Sequence, residues 1–311
     1  MGLLLLIGAL GLLVLPGATR RLGRRLAPAE WARLCGLALL AGVVVLEVTA
    51  LLYAAPTVLR AVGVHALAEA CERALGPLVP GGPAAGWTAA AAAVALPVLV
   101  LRAGAQARRS SRQAWMEPCV GLHSSYGEHE LVEIPTERIL AFSVPVPRPQ
   151  IVVSSGMKQV LRADELRAVV EHERAHLELG HHRFLVLASA LERGLAFLPL
   201  GPSTRATRAA VERWADEAAV RNRPEARGAL RSALLAVTAA AVGPGVAGFS
   251  TADSIVERVD ALAVPARQPS PMVRASLYAP GALMGSALTV LFGASATSAQ
   301  VLVAVAGHCP L

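Results

Sequence analysis

Four long apolar runs divide the chain into hydrophobic flanks and a polar middle. They cover residues 2–17, 35–55, 87–101 and 281–307. A helix needs roughly 17 to 25 apolar residues to cross a bilayer. The second and fourth runs meet that length, whereas the first is short and the third is rich in alanine and contains Pro97. The pattern predicts four membrane helices around a polar block at about residues 104–280.

Arginines cluster at particular ends of these predicted helices. They are Arg20, Arg21, Arg24 and Arg25 after the first run and Arg102, Arg108, Arg109 and Arg112 after the third. The segment 56–86 between the second and third runs is poor in charge. Because basic loops stay in the cytoplasm, we expect the amino terminus outside and the polar block inside. A signal peptide would carry basic residues before its apolar run, and the first run has none there.

The composition agrees with a membrane protein. The 311 residues are 54% hydrophobic and 16% charged, whereas soluble domains carry about a quarter charged residues. The net charge of +7 could indicate nucleic-acid binding, but helix orientation already accounts for the arginines, so we expect no direct nucleic-acid partner. Cys71 and Cys309 would both face outward, where disulfides persist, and we predict a bond between them.

The polar block begins with strands. Residues 121–157 are rich in Val, Ile, Pro and turn residues, which predicts two or three short strands, the last being Gln150–Ser154. Pro145, Pro147 and Pro149 cannot donate hydrogen bonds to a sheet. We therefore expect the last strand at a sheet edge, where an extended substrate could pair with it.

Helical patterns follow the strands. They cover residues 162–179, 205–221 and 225–242. Segment 184–200 is largely apolar but contains Glu192 and Arg193. It predicts a helix packed on the core or the membrane face rather than a fifth span.

The sequence HERAH occupies residues 172–176 of the first of these helices. Residues four apart lie on one helix face, so the imidazoles of His172 and His176 can bind one ion. Zinc accepts two neutral imidazoles and a carboxylate and leaves a fourth position for water. Glu173 lies about 100° around the helix from His172, where it can take a proton from that water. The pattern predicts a metalloprotease, although two surface histidines beside a solvated glutamate would look the same.

A second acidic pair follows in the sequence VERWADEAAV, residues 211–220. Glu212 and Asp216 lie one helical turn apart. Glu212 could complete a His-His-Glu zinc site, and Asp216 could accept a hydrogen bond from a ligand histidine and fix its tautomer. A solvated helix face is the alternative, but the preceding HExxH helix favours the ligand interpretation.

Three further residues have open roles. His181 and His182 follow the predicted helix that carries HERAH. At a helix carboxyl end, cationic side chains interact favourably with the helix dipole. A transition-state donor is the functional alternative for them. Arg258 in VERVDAL is interpreted as one half of a structural ion pair.

This layout resembles the membrane metallopeptidases of the BlaR/MecR-type antirepressor receptors. The shared features are three amino-terminal spans, a cytoplasmic block with HExxH and a later ExxxD, and a fourth span. The segment RPQIVVSSGM resembles the strand before the catalytic helix in that family, and HERAHLELGHH resembles its zinc helix. The resemblance implies that His172, His176 and Glu212 bind Zn2+, that Glu173 is the general base, and that Asp216 supports a ligand.

The chain departs from those receptors after the fourth span. The receptors carry a penicillin-binding sensor domain there, whereas this sequence ends at Leu311. We therefore expect a sensorless member whose partner is a BlaI-type repressor. Heat-shock-type membrane metalloproteases, which clear damaged membrane proteins, are a related group with differently placed helices.

The predicted fold class is an α-helical integral membrane protein with four spans and a mainly α (α+β) cytoplasmic zinc-metalloprotease block. Residues 1–103 would hold three transmembrane helices, 104–280 the peptidase domain, and 281–311 the fourth helix and a short outer tail. The expected function is cleavage of cytosolic or membrane proteins at the lipid bilayer, for regulation through repressor cleavage. Quality control and a non-catalytic signalling scaffold are the alternatives.

Overall fold

Helices dominate the part of the chain that the structure, a computed structural model, describes. That part comprises residues 2–23, 26–75, 82–116, 121–145, 148–241 and 252–264. All of these described residues belong to one compact unit, Met1–Ala266. The second unit, Arg267–Leu311, contains none of them. The predicted fourth span and Cys309 belong to that second unit. The fourth span and the Cys71–Cys309 bond therefore stay predictions.

The described amino-terminal part is helical. They are α1 (Gly2–Ala18), α2 (Arg20–Gly23), α3 (Pro28–Ala61), α4 (His65–Leu75) and α5 (Pro83–Met116).

Two of these helices are candidate membrane spans. Within α3 and α5, Pro28–Ala61 and Pro83–Ser110 are long and apolar enough to cross a membrane, whereas the apolar part of α1, Leu3–Ala18, is shorter. Length and composition alone support this assignment, and the core helix of a soluble protein can share both. Two of the four predicted spans are thus candidates in the structure.

A four-stranded mixed sheet follows α5. Its strands are β1 (Leu122–Tyr126), β2 (His129–Ile134), β3 (Ala141–Val144) and β4 (Gln150–Ser154). Their order across the sheet is β1-β2-β4-β3. The β2–β4 pair is parallel, and the other two pairs are antiparallel.

The prediction that Gln150–Ser154 lies at a sheet edge is wrong. β4 pairs with β2 on one side and with β3 on the other, and its residues Ile151, Val152 and Val153 are all buried. Pro145 follows β3 and Pro149 precedes β4. Every residue of β4 therefore keeps its N–H for the ladder, so the nearby prolines do not restrict its position. β1 and β3 form the edges.

Six helices complete the described chain. They are α6 (Ser155–Val160), α7 (Ala163–Glu178), α8 (His182–Gly194), α9 (Gly201–Ala219), α10 (Ala226–Ala241) and α11 (Ala252–Leu262). A capping hydrogen bond stabilises the amino-terminal end of α7. The Glu165 carboxylate accepts it from the Arg162 backbone N–H at 2.9 Å, a group that has no partner within the helix. α7 packs on β3 and β4 with one face and on α9 and α10 with others.

The apolar segment after α7 forms a packed helix, as the sequence predicts. α8 lies against α5 and α9. A buried leucine cluster joins α1, α3, α8 and the segment that leads into α9. Its members are Leu13, Leu39, Leu191, Leu195 and Leu200. The candidate spans and the helical block thus share one hydrophobic core.

The contact between α8 and α5 leaves no room for a side chain at Gly194. A Cβ atom there would lie 2.9 Å from Val100 Cα and 3.1 Å from the Leu99 carbonyl oxygen, both backbone atoms of α5. We expect Gly194→Ala to lower the free energy of unfolding by about 1–3 kcal/mol, because the helices must move apart. Thermal unfolding of the purified full chain measures this change.

Gly228 in α10 is the matched control. A Cβ atom there meets nothing within 4 Å, and alanine favours helix over glycine by up to about 1 kcal/mol. Gly228→Ala should therefore leave the melting temperature unchanged or raise it. Equal destabilisation by both substitutions would contradict the close packing of α8 on α5.

Candidate metal centre

The two histidines of the HExxH sequence converge on one face of α7. The Nε2 atoms of His172 and His176 lie 3.1 Å apart, and the ring centroids are 4.8 Å apart. Two nitrogens bound to one tetrahedral zinc ion at 2.0–2.1 Å would be separated by about 3.3 Å. The spacing of the imidazoles therefore suits a shared zinc ion.

Glu212 of α9 supplies the third group. Its carboxylate oxygens lie 3.5 Å from His172 Nε2 and 3.7 Å from His176 Nε2. One ligand atom from each of the three residues lies within 4.8 Å of those of the other two. Two imidazoles and one carboxylate are donors that zinc prefers, and they leave one tetrahedral position open. The donor set thus fits a zinc site of the catalytic type.

Asp216 lies one turn after Glu212 and contacts the other side of His172. Its Oδ1 is 2.9 Å from His172 Nδ1, and the carboxylate is almost completely buried. A carboxylate at Nδ1 favours the tautomer that keeps the Nε2 lone pair free for a metal. Asp216 thus lies against the Nδ1 side of His172, away from the atoms that converge with Glu212.

Arg258 of α11 holds both acidic residues. Its guanidinium donates two hydrogen bonds to Asp216, at 2.8 and 2.7 Å. Its Nη1 also lies 3.1 Å from Glu212 Oε2. Arg258 does form an ion pair, as expected, but with the candidate site itself. No local sequence pattern connects it to residues about forty positions earlier.

The charges in this cluster are strongly coupled. Burial raises the pKa of Asp216, but Arg258 and His172 outweigh burial and hold that pKa at about 2. The same two residues, with His176, keep the pKa of Glu212 well below its usual range despite its burial. Burial lowers the pKa of His172, but hydrogen bonding with Asp216 and Glu212 raises it to about 9. With both histidines neutral, the cluster carries excess negative charge that a cation would offset.

Glu173 is the partly buried neighbour of His172 on α7. The helical spacing turns it away from the direction in which His172 and His176 converge. It is not one of the three residues whose ligand atoms converge.

His181 has surroundings that sequence analysis missed. It is fully buried, its Nδ1 lies 3.1 Å from His176 Nδ1, and its ring lies 4.7 Å from that of Trp214. This position, on the opposite side of His176 from Glu212, does not suit a transition-state donor. In the sequence, the only indication of this position was the pair Gly180 and His181, which follows α7. His182 begins α8 and is half-buried.

Comparison with known protein families gives a match within this block. Residues 107–255 match the model of peptidase family M48, and this segment contains every predicted site residue. The match indicates a metallopeptidase, and peptidases of this family are generally zinc-dependent. No curated protein and no solved structure among those compared matches the chain. The narrower resemblance to BlaR/MecR-type receptors is not part of the family match and stays a prediction.

The buried position of Arg258 makes its removal costly. Arg258→Met would leave the carboxylates of Asp216 and Glu212 without their cation, and breaking a buried pair costs roughly 3–5 kcal/mol. We expect a loss of that size in the free energy of unfolding of the metal-free protein. Denaturant unfolding of the full chain measures it.

Arg208→Met provides the control. Arg208 pairs with Glu192 at 2.7 Å, but both side chains are about one-third exposed, so its loss should cost less than about 1 kcal/mol. An Arg258 variant no less stable than the Arg208 variant would contradict the proposed charge balance.

Proposed function

We propose that this protein is an integral membrane zinc endopeptidase whose active site faces the cytoplasm. The observation that carries the proposal is the convergence of His172, His176 and Glu212 within the reach of one ion, with Glu173 beside them. A structural zinc site needs neither an open position nor a neighbouring base. This favours a hydrolase over the non-catalytic scaffold.

The proposed mechanism assigns one role to each residue. His172, His176 and Glu212 would hold zinc, which polarises a peptide carbonyl and makes water acidic near neutral pH. Glu173 would accept the proton that water loses as its oxygen attacks the carbonyl carbon. It would then pass that proton to the amine as the C–N bond breaks. Asp216 and Arg258 would hold His172 and Glu212 in position.

The contacts of α1 and of the two candidate spans support a cytoplasmic site. Ser203 of α9 accepts a hydrogen bond from the Gly17 N–H at 3.2 Å, at the end of α1. Arg33, near the start of α3, lies 5.0 Å from the Trp214 ring centroid. The carboxyl-terminal half of α5 packs near Ala190 through Gly104. These are the helix ends that their arginines would hold in the cytoplasm.

Glu173→Gln tests the catalytic role. The amide keeps the size of the side chain but cannot accept the proton, so we expect peptide cleavage to fall by roughly 10²- to 10⁴-fold. The zinc content should equal that of the wild type, because Glu173 lies outside the donor set. Metal analysis and cleavage of an unfolded protein substrate by the purified full chain provide the two measurements.

Glu212→Gln and zinc chelation are the matched comparisons. The Glu212 variant should lose both zinc and cleavage, and chelation should abolish cleavage by the wild type until zinc is restored. Stoichiometric zinc with no cleavage by wild type or variant would support the scaffold instead. A wild type that binds no zinc would refute the proposal.

The open edge of the sheet offers a place for the substrate. Among the described residues, β3 has a strand partner on one side only, and it packs against α7. The Leu140 carbonyl accepts a hydrogen bond from Ser154 N–H at 2.9 Å. Because backbone groups alternate in direction along a strand, those of Ala141 and Ser143 point to the open side. We propose that an extended substrate pairs there, rather than at β4.

Ser143→Pro tests this pairing. Proline removes the outward N–H, and edge positions tolerate it. The loss of one hydrogen bond, worth about 0.5–1.5 kcal/mol, should lower kcat/KM severalfold without changing the zinc content. Ser143→Ala keeps the N–H and should cleave at the wild-type rate. Equal kcat/KM values for the two variants would show that the substrate does not use this edge.

The substrate we propose is a cytosolic regulator, with a BlaI-type repressor as the first candidate. This choice rests on the resemblance to the antirepressor receptors and on the proposed cytoplasmic side. Comparison of protein amino termini in cells that make the wild type or Glu173→Gln distinguishes the possibilities. One new terminus in one cytosolic protein would support regulation, whereas many termini in membrane proteins would indicate quality control.

A further inference from the structure

The chain reverses direction sharply at Gly180, just after α7. This glycine has a φ of +64°, a conformation that glycine adopts without the penalty of a Cβ atom. Its N–H donates to the Leu177 carbonyl at 3.2 Å, and the N–H of His181 donates to the His176 carbonyl at 3.1 Å. These two bonds form a Schellman motif. The motif fixes the backbone of His181 against that of His176.

The side chains of the same two residues are also in contact. Their Nδ1 atoms lie 3.1 Å apart, and the rings are nearly perpendicular, with centroids 4.8 Å apart. Trp214 of α9 lies against the His181 ring at a centroid distance of 4.7 Å. His181 is therefore held by a backbone motif, an imidazole and an indole.

The distance between the Nδ1 atoms determines where the protons lie. A hydrogen bond between them needs one donor and one acceptor. Since His176 presents Nε2 to Glu212 and His172, a lone pair on that atom requires its proton to be on Nδ1. His176 then donates and His181 Nδ1 accepts. The proton of His181 must lie on Nε2, a buried atom that has no hydrogen-bond partner among the described residues.

An unpartnered buried N–H reduces stability and calls for an explanation. A phenylalanine would fill the place beside Trp214 without that cost. Packing alone therefore does not explain a histidine at this position, whereas the acceptor at Nδ1 does.

We propose that His181 is a positioning residue for His176, a neutral imidazole that accepts the Nδ1 proton and fixes the metal-binding tautomer. It would do for His176 what Asp216 does for His172. The two imidazole ligands would then differ, because a carboxylate makes its histidine the stronger donor. This inference rests on the proposed zinc site.

Two substitutions separate the acceptor from the packing. His181→Phe keeps a ring beside Trp214 but cannot accept a hydrogen bond. His181→Asn loses the ring but places an acceptor oxygen close to the position of Nδ1. Both would be made in the full chain with Glu173→Gln, so that self-cleavage cannot affect the measurement. Competition with a chromophoric chelator gives the zinc affinity, and the visible spectrum of bound Co2+ reports the ligand geometry.

We expect His181→Phe to weaken zinc binding by roughly 10- to 100-fold and to alter the Co2+ spectrum. The melting temperature of the metal-free protein should not fall. His181→Asn should recover most of the affinity and the wild-type spectrum. A purely structural residue would show the reverse, with Phe the milder substitution.

Wild-type affinity in the Phe variant, or equally weak binding in the Phe and Asn variants, would overturn the acceptor role. A fall in the melting temperature of the Phe variant would show that the ring nitrogen serves stability instead. The Glu173→Gln protein with His181 intact distinguishes the two proposals. If it binds no zinc, the proposed function fails. Normal zinc binding by this protein and by the Phe variant overturns only the role of His181.

Discussion

The chain of close polar contacts from His172 through Asp216 to Arg258 is the interaction on which the candidate site depends. It joins α7, α9 and α11, and all three groups are buried. Removing one member leaves a buried charge uncompensated, which costs several kcal/mol. The three helices must therefore meet for any of them to be stable in this arrangement. Formation of the site and packing of these three helices are therefore energetically coupled.

Trp214 connects this site to the first candidate span. This tryptophan lies on α9, which also carries Glu212 and Asp216. It contacts His181, which follows α7, and Phe184 of α8. The guanidinium of Arg33 on α3 lies over the same ring, and Phe184 packs where Gly36 of α3 has no side chain. The candidate metal centre is thus in packing contact with α3 through two aromatic rings, without a linker between them.

Local patterns in the sequence predict much of the secondary structure and most of the candidate-site residues. The period of 3.6 residues places His172 and His176 on one face of α7 whatever surrounds the helix. The same period puts Glu212 and Asp216 on one face of α9, and long apolar runs predict α3 and α8. Two or three short strands were predicted within residues 121–157, where four form. Helix periodicity and side-chain hydrophobicity set these features, so they can be inferred from short windows of sequence.

Tertiary structure alone decided which elements meet. Prolines suggested an edge position for β4, but strand order depends on pairing among distant segments, and β4 lies in the centre of the sheet. Arg258 lies 42 residues from Asp216, and no periodicity spans that distance. The role of His181 depends on the turn at Gly180 and on Trp214 from another helix. Sequence periodicity determines the face on which a side chain lies, whereas packing of the whole chain determines what that face contacts.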